Sequence, residues 1–151
     1  MKKRLSFIFA TWFGVGHMPA SGTFGSAAAL PFIFIAAHFG GFDAVSAFLV
    51  FAYVVGTLSA AEVLKYTRPD PPIIVIDEVF GQTLALLPFV GQFDNWKIWV
   101  GAFVLFRLFD ITKPWPASWF DRRVINAHGV MLDDMVAGAY AAALQLLVIS
   151  Y

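Results

Sequence analysis

The chain has 151 residues, 60% of them apolar and 13% charged, with a mean hydropathy of +0.75; a soluble domain carries roughly 25% charged residues, so most of this surface must face lipid or protein. Ten Lys and Arg balance ten Asp and Glu, which argues against a basic groove for nucleic acid. The absence of cysteine excludes disulfide staples, thiol catalysis and a Cys-ligated metal centre, so any metal site must use oxygen or imidazole.

Met1 to Arg4 is a basic start, and Leu5 to Phe13 is an apolar run of signal-peptide length. Pro19-Ala20-Ser21-Gly22 imitates a processing site, but cleavage there would behead the Gly-rich stretch Gly14 to Ser26, so residues 1–26 are expected to stay in a single domain spanning 1–151. Five apolar segments follow: Ala27 to Phe39, Ala44 to Leu64, Val79 to Val90, Trp96 to Phe109 and Met135 to Tyr151. Only the second reaches the roughly 20 residues that cross hydrocarbon unaided. The others must recruit flanking turns, thin the bilayer or lie within a bundle. Lengths above about ten residues and abundant Ala and Leu favour helix, and barrel strands would alternate apolar with polar residues. The expected fold is therefore all-α, a compact bundle of membrane-embedded helices with four to five crossing or partly inserted segments.

Connectors alternate in character. Gly40-Gly41-Phe42-Asp43 and Gly91-Gln92-Phe93-Asp94-Asn95 are tight and turn-like, whereas residues 1–26, 65–78 and 110–134 are long. With five crossings, the long connectors share one side. That side collects Lys2, Lys3, Arg4, Lys65, Arg68, Arg107, Lys113, Arg122 and Arg123, leaving Lys97 opposite. This is the positive-inside pattern of a cytoplasmic face. Asp77, Glu78, Asp110, Asp121, Asp133 and Asp134 fall on the same face.

Carboxylates near hydrocarbon are costly. An N-cap role, worth about 1 kcal/mol, accounts for one acid at a helix start but poorly for two. Doubled acids from different helices suit Mg²⁺, which takes oxygen ligands and is commonly shared between carboxylates and a substrate phosphate. Asp77, Glu78, Asp110, Asp133 and Asp134 are the candidate ligands, and neighbours on a helix point about 100° apart, so one acid of each pair can bind metal while the other serves elsewhere. Gly81, Ala137 and Gly138 follow the pairs and permit close helix approach. In the Gly-rich stretch, the amides of Gly22 and Gly25 and the hydroxyls of Thr23 and Ser26 can cradle an anion at a helix start. Pro114 and Pro116 stop the fourth segment and hold Lys113 near Asp110, where it can neutralise a phosphate or snorkel beside Trp115 and Trp119. Arg122 and Arg123 either contact phosphate or mark topology.

Four motifs in order, Pro19 to Ser26, Asp77 to Gly81, Phe109 to Pro116 and Asp121-Arg122 through Gly129 to Gly138, resemble the phosphatidylglycerophosphatase A family over about residues 11–142. The sequence departs from that pattern at Ser21, at Trp115 and at Asn126-Ala127-His128, where the family usually has proline, proline and a glycine-richer approach. The resemblance implies a Mg²⁺-dependent phosphatase of the bacterial inner membrane that converts phosphatidylglycerophosphate to phosphatidylglycerol. Asp110, Lys113 and Asp134 are the expected catalytic residues. Gly22, Thr23, Gly25, Ser26, Lys113 and Arg122 are expected to bind the phospholipid substrate. An alternative reading, a small transporter or channel subunit with acids lining an ion path, expects charges in mid-membrane on several helices instead of at one face.

Overall fold

A computed structural model describes residues 3–67 and 71–149. Lys2 and Arg68, two of the basic residues assigned to the cytoplasmic face, and the last two residues of the fifth apolar segment lie outside them. The described residues form an all-helical bundle: α1 (Lys3–Ala10), α2 (Ser21–Val63), α3 (Ile76–Leu86), α4 (Trp96–Thr112), α5 (Ala117–Arg123) and α6 (Ala127–Ile149). Short 3-10 turns at Val15–His17 and Leu87–Gln92 join them. The second begins at Leu87-Pro88, where Pro88 ends the α3 hydrogen-bond ladder, so α3, which starts before the apolar run Val79 to Val90, stops short of its end.

The tight turn expected at Gly40-Gly41 lies within α2, whose helical dihedrals break at Gly41 (φ 58°, ψ −145°), a conformation open chiefly to glycine. Sixteen residues of straight helix span about 24 Å. Phe32 and Phe48 nevertheless stack with ring centroids 6.3 Å apart, so α2 is a hairpin whose arms, residues 21–40 and 42–63, run back along each other. Trp12 packs edge-on against both rings and seals the start of the chain onto the hairpin.

Two helices, α2 and α6, are long and apolar enough to cross a membrane. This is fewer than the four to five segments expected, because α3 has 11 residues and α4 has 17, at or below the lower end of what spans hydrocarbon. α6 also starts earlier than its apolar run. Asn126 accepts hydrogen bonds from the backbone N–H groups of His128 and Gly129 and caps the helix, so Asp133 and Asp134 lie nearly two turns inside it and not at its start.

α3 sits at the centre, packed on α2 and α6, with α4 against α6 and α5 folded over the start of α6. The core is lined by Ile33, Val45, Val79, Leu86, Phe89, Phe106 and Met131. Large apolar side chains also cover the outside: Phe34, Phe39, Val50 and Leu58 on α2, Val100, Val104 and Leu108 on α4, and Leu147 and Val148 on α6 are exposed. An apolar exterior around buried carboxylates inverts the soluble pattern and fits association with a membrane.

Candidate active site

The acids converge where α3, α4 and α6 meet the start of α2. Asp77 and Glu78 occupy the first turn of α3, yet the helix start has no side-chain cap. The capping account therefore fails for them, as it does for Asp133 and Asp134. Carboxylate oxygens of Asp77, Glu78 and Asp134 all lie within 4.8 Å of one another. In each of the three, one oxygen is buried without a hydrogen-bond partner among the described residues: Asp77 Oδ1, Glu78 Oε2 and Asp134 Oδ2.

Such an arrangement needs positive charge, and the nearby bases are already engaged. Arg107 Nη1 donates to Asp110 Oδ2 in a pair that is largely buried. Lys113 Nζ donates to Asp133 Oδ2 at 2.6 Å and also to Asp121 Oδ1. Burial acts to lower the pKa of Lys113, but Asp133 and Asp121 more than reverse it, so its ammonium is held above the ordinary lysine value. With Asp110 and Asp133 thus paired, Asp77, Glu78 and Asp134 remain as clustered, uncompensated carboxylates among the described residues. Like charges packed in a low-dielectric site repel strongly until protons or a metal cation neutralise them.

Close backbone contacts set this geometry. A Cβ on Gly81 would strike the Phe106 ring and stand 2.8 Å from the Asp134 carbonyl oxygen, so α3 and α6 touch along their main chains. A Cβ on Gly22 would stand 2.5 Å from Glu78 Oε1 and 2.9 Å from Arg107 Nη2. The first turn of α2 thereby lies against the acid cluster with no side chain intervening.

The structure sorts the expected residues. Asp77, Glu78 and Asp134 meet directly, and Asp110 and Asp133 lie within electrostatic reach of them. Asp134 turns towards the cluster while Asp133 turns to Lys113, the division expected of adjacent helical residues. Lys113 reaches Asp121 and Asp133 in place of Asp110, because it occupies a left-handed conformation at the end of α4 (φ 42°) that swings its side chain away. Of the expected anion cradle, Gly22 faces the site and Thr23 is exposed, whereas Gly25 packs on Val75 and the buried Ser26 hydroxyl donates to the Gly22 carbonyl at 2.8 Å. Gly25 and Ser26 serve packing here. Arg122 is exposed on α5, at a cavity that Asp133 also lines.

Arg107 is the site residue that sequence reasoning undervalued, having counted it only among the topological charges. Its spacing of three from Asp110 on one helix face was the available signal. Its guanidinium touches Asp110, lies beside Glu78 and packs against Gly22.

The family model described as phosphatidylglycerophosphatase A matches residues 8–149. The phosphatidylglycerophosphatase A of Escherichia coli K12 is 36% identical over 140 residues, covering 91% of this chain and 79% of that one. The protein of the same name from Haemophilus influenzae is 36% identical over 139 residues, covering 89% and 82%. A Bacteroides thetaiotaomicron protein provisionally named a phosphatidylinositol-3-phosphatase is 37% identical over 149 residues, covering 92% of each chain. No solved structure matches the chain.

Proposed function

The chain belongs to the phosphatidylglycerophosphatase A family of phosphatases, and from that premise we propose that it hydrolyses the terminal phosphate of phosphatidylglycerophosphate in a Mg²⁺-dependent reaction at the cytoplasmic face of a bacterial inner membrane. The observation that carries the reading is the set of three buried, unpartnered carboxylate oxygens on Asp77, Glu78 and Asp134. A hard cation with oxygen ligands suits that donor set, and Asp110 and Asp133 supply further oxygens at its edge. When bound, Mg²⁺ neutralises the phosphoryl oxygens and lowers the pKa of a bound water.

The chain's own residues do the rest. Arg107 presents a guanidinium between Glu78, Asp110 and Gly22 and binds a phosphoryl oxygen, assisted by the free N–H groups at the start of α2. Lys113, held protonated by its two carboxylate partners, keeps Asp133 in place and adds positive charge at the phosphate. Asp110, anchored by Arg107, takes the proton from the attacking water. As the water oxygen bonds to phosphorus, the bond from phosphorus to the terminal headgroup oxygen breaks; that oxygen takes up the proton held by Asp110, so inorganic phosphate leaves and the lipid gains a headgroup hydroxyl.

The membrane arrangement we infer has both arms of α2, together with α4 and α6, embedded in lipid. Three features support it: the exposed apolar stripes, Lys3 stacking 3.9 Å over the Tyr66 ring at the far end of α2 from the hairpin tip, and Lys97 in the first turn of α4, the helix whose Trp99 meets Phe34 nearer that tip. A transporter reading finds no support, since the acids gather at one end of the bundle. The deciding experiment is phosphate release from phosphatidylglycerophosphate by purified protein, with EDTA and with Mg²⁺ restored. Release that depends on Mg²⁺ is expected, and full release in EDTA would refute the metal assignment.

A further inference from the structure

A cavity of about 370 Å³ lies beside the acid cluster, under α5 and against the start of α6. This is at the small end of the roughly 300–1,000 Å³ range of ligand pockets. Leu64, Ile125 and Val130 form an apolar wall, and Asp121, Arg122 and Asp133 form a charged one. Lys113 clamps both of those carboxylates. Arg122 has no hydrogen bond or ion pair with the described residues, so it is the cation of this cavity free to meet an anion.

The cavity and the acid cluster lie on adjoining faces of α6, about 100° apart. Asp133 lines the cavity, and Asp134, the next residue, belongs to the cluster. A ligand that reaches both places with an anion must carry two anionic groups a few bonds apart. The phosphatidylglycerophosphate of the proposed function is such a molecule: a three-carbon glycerol joins its terminal monoester to a singly charged phosphodiester, beyond which the lipid turns apolar. One free guanidinium beside an apolar wall matches one diester charge and the adjoining glyceryl ester carbons.

Resting on that reading, we propose that this cavity is the phosphodiester subsite, with Arg122 binding the diester and Leu64, Ile125 and Val130 seating the lipid glycerol that follows it. Arg122 is then a specificity residue. It favours monoesters carried on an anionic diester over monoesters that lack one.

The test is equilibrium binding to the full chain in neutral detergent micelles, using two separate probes. Phosphatidylglycerol carries the diester without the monoester, and inorganic phosphate carries neither diester nor lipid. Arg122→Gln and Ile125→Glu alter exposed side chains that the fold does not need. Arg122→Gln is expected to raise the Kd for phosphatidylglycerol about tenfold through the loss of one charge-assisted contact, and Ile125→Glu to raise it comparably by setting a carboxylate against the apolar ester carbons and the diester; both should move the Kd for phosphate less than about twofold. Unchanged phosphatidylglycerol binding in Arg122→Gln overturns the proposal. Equal weakening of both probes overturns it too, by assigning Arg122 to the monoester, and an effect of Arg122→Gln without one of Ile125→Glu reduces it to surface attraction. Phosphate release by the wild type is measured alongside. Its absence refutes the proposed function, while the binding results judge the subsite independently.

Discussion

Gly138 lies with its Cα against the carbonyl of Gly81, so near that a Cβ at 138 would stand 2.5 Å from that oxygen. Each glycine follows an acid of the cluster by four residues, Gly81 after Asp77 and Gly138 after Asp134. One helical turn above the point where the backbones touch, the two carboxylates therefore face each other. The separation of the acids is fixed by the absence of two side chains.

Replacing Gly138 with alanine must push α6 from α3, because the obstacle is backbone and cannot rotate away. We expect Gly138→Ala to cost about 1–3 kcal/mol of stability, as overpacking does, and to lower turnover about a hundredfold through displacement of Asp134 by a fraction of an ångström or more. Thermal unfolding in detergent and phosphate release measure the two effects. A variant of wild-type stability and rate would show that the helices are not in contact at this point.

Gly22→Ala should behave differently. The added methyl meets the ends of Glu78 and Arg107, which can move, and not a main chain. Stability is expected to fall by less than in Gly138→Ala, because side-chain ends yield where a main chain cannot, while kcat falls at least tenfold because two site residues are displaced. An unchanged kcat would remove Gly22 from the site.

Asp77→Asn and Asp134→Asn each delete one charge from the uncompensated set. Repulsion in the metal-free protein falls, so both variants should be as stable as wild type in EDTA or more so. Mg²⁺ is expected to raise the melting temperature of the wild type by binding only the folded state, and to raise that of neither variant. Calorimetry with and without Mg²⁺ reads this without any turnover. Retained stabilisation by Mg²⁺ in both variants would count against these ligands.

Arg107→Gln leaves Asp110 buried and unpaired, a change that costs about 3–5 kcal/mol when an ion pair is broken from one side. Adding Asp110→Asn should restore most of that stability and none of the activity. If the double variant regains turnover along with its fold, Arg107 is a structural partner only.

Much of this was legible in the sequence because charge is scarce in an apolar chain. Asp77, Glu78, Asp133 and Asp134 stand out against hydrocarbon-like surroundings, and the glycines that follow them signal close packing. The break at Gly41 was readable from the paired glycines. The partner of Lys113 was not: Asp133 lies twenty residues away, and only the folding of α5 over α6 brings them together. The start of α6 is hidden because His128, Gly129, Asp133 and Asp134 interrupt its apolar residues, although Asn126 carries the capping signal. Arg107 was obscured by its position within an apolar helix, where one charge reads as a topological marker.

The break at Gly41 also makes α2 behave as a threaded part with a fixed phase. The arm before it delivers Gly22 to Glu78, and the arm after it delivers Gly56 to Met131 and Ile76. Each residue inserted into either arm would rotate its far end by about 100° and unscrew one side of the bundle from the other. At the tip, where Phe39 is 82% exposed, added residues would lengthen a loop and turn nothing. The distance from tip to chemistry is thus set in whole turns, and length variation in chains of this design should collect at the hairpin tip while the arms keep their count.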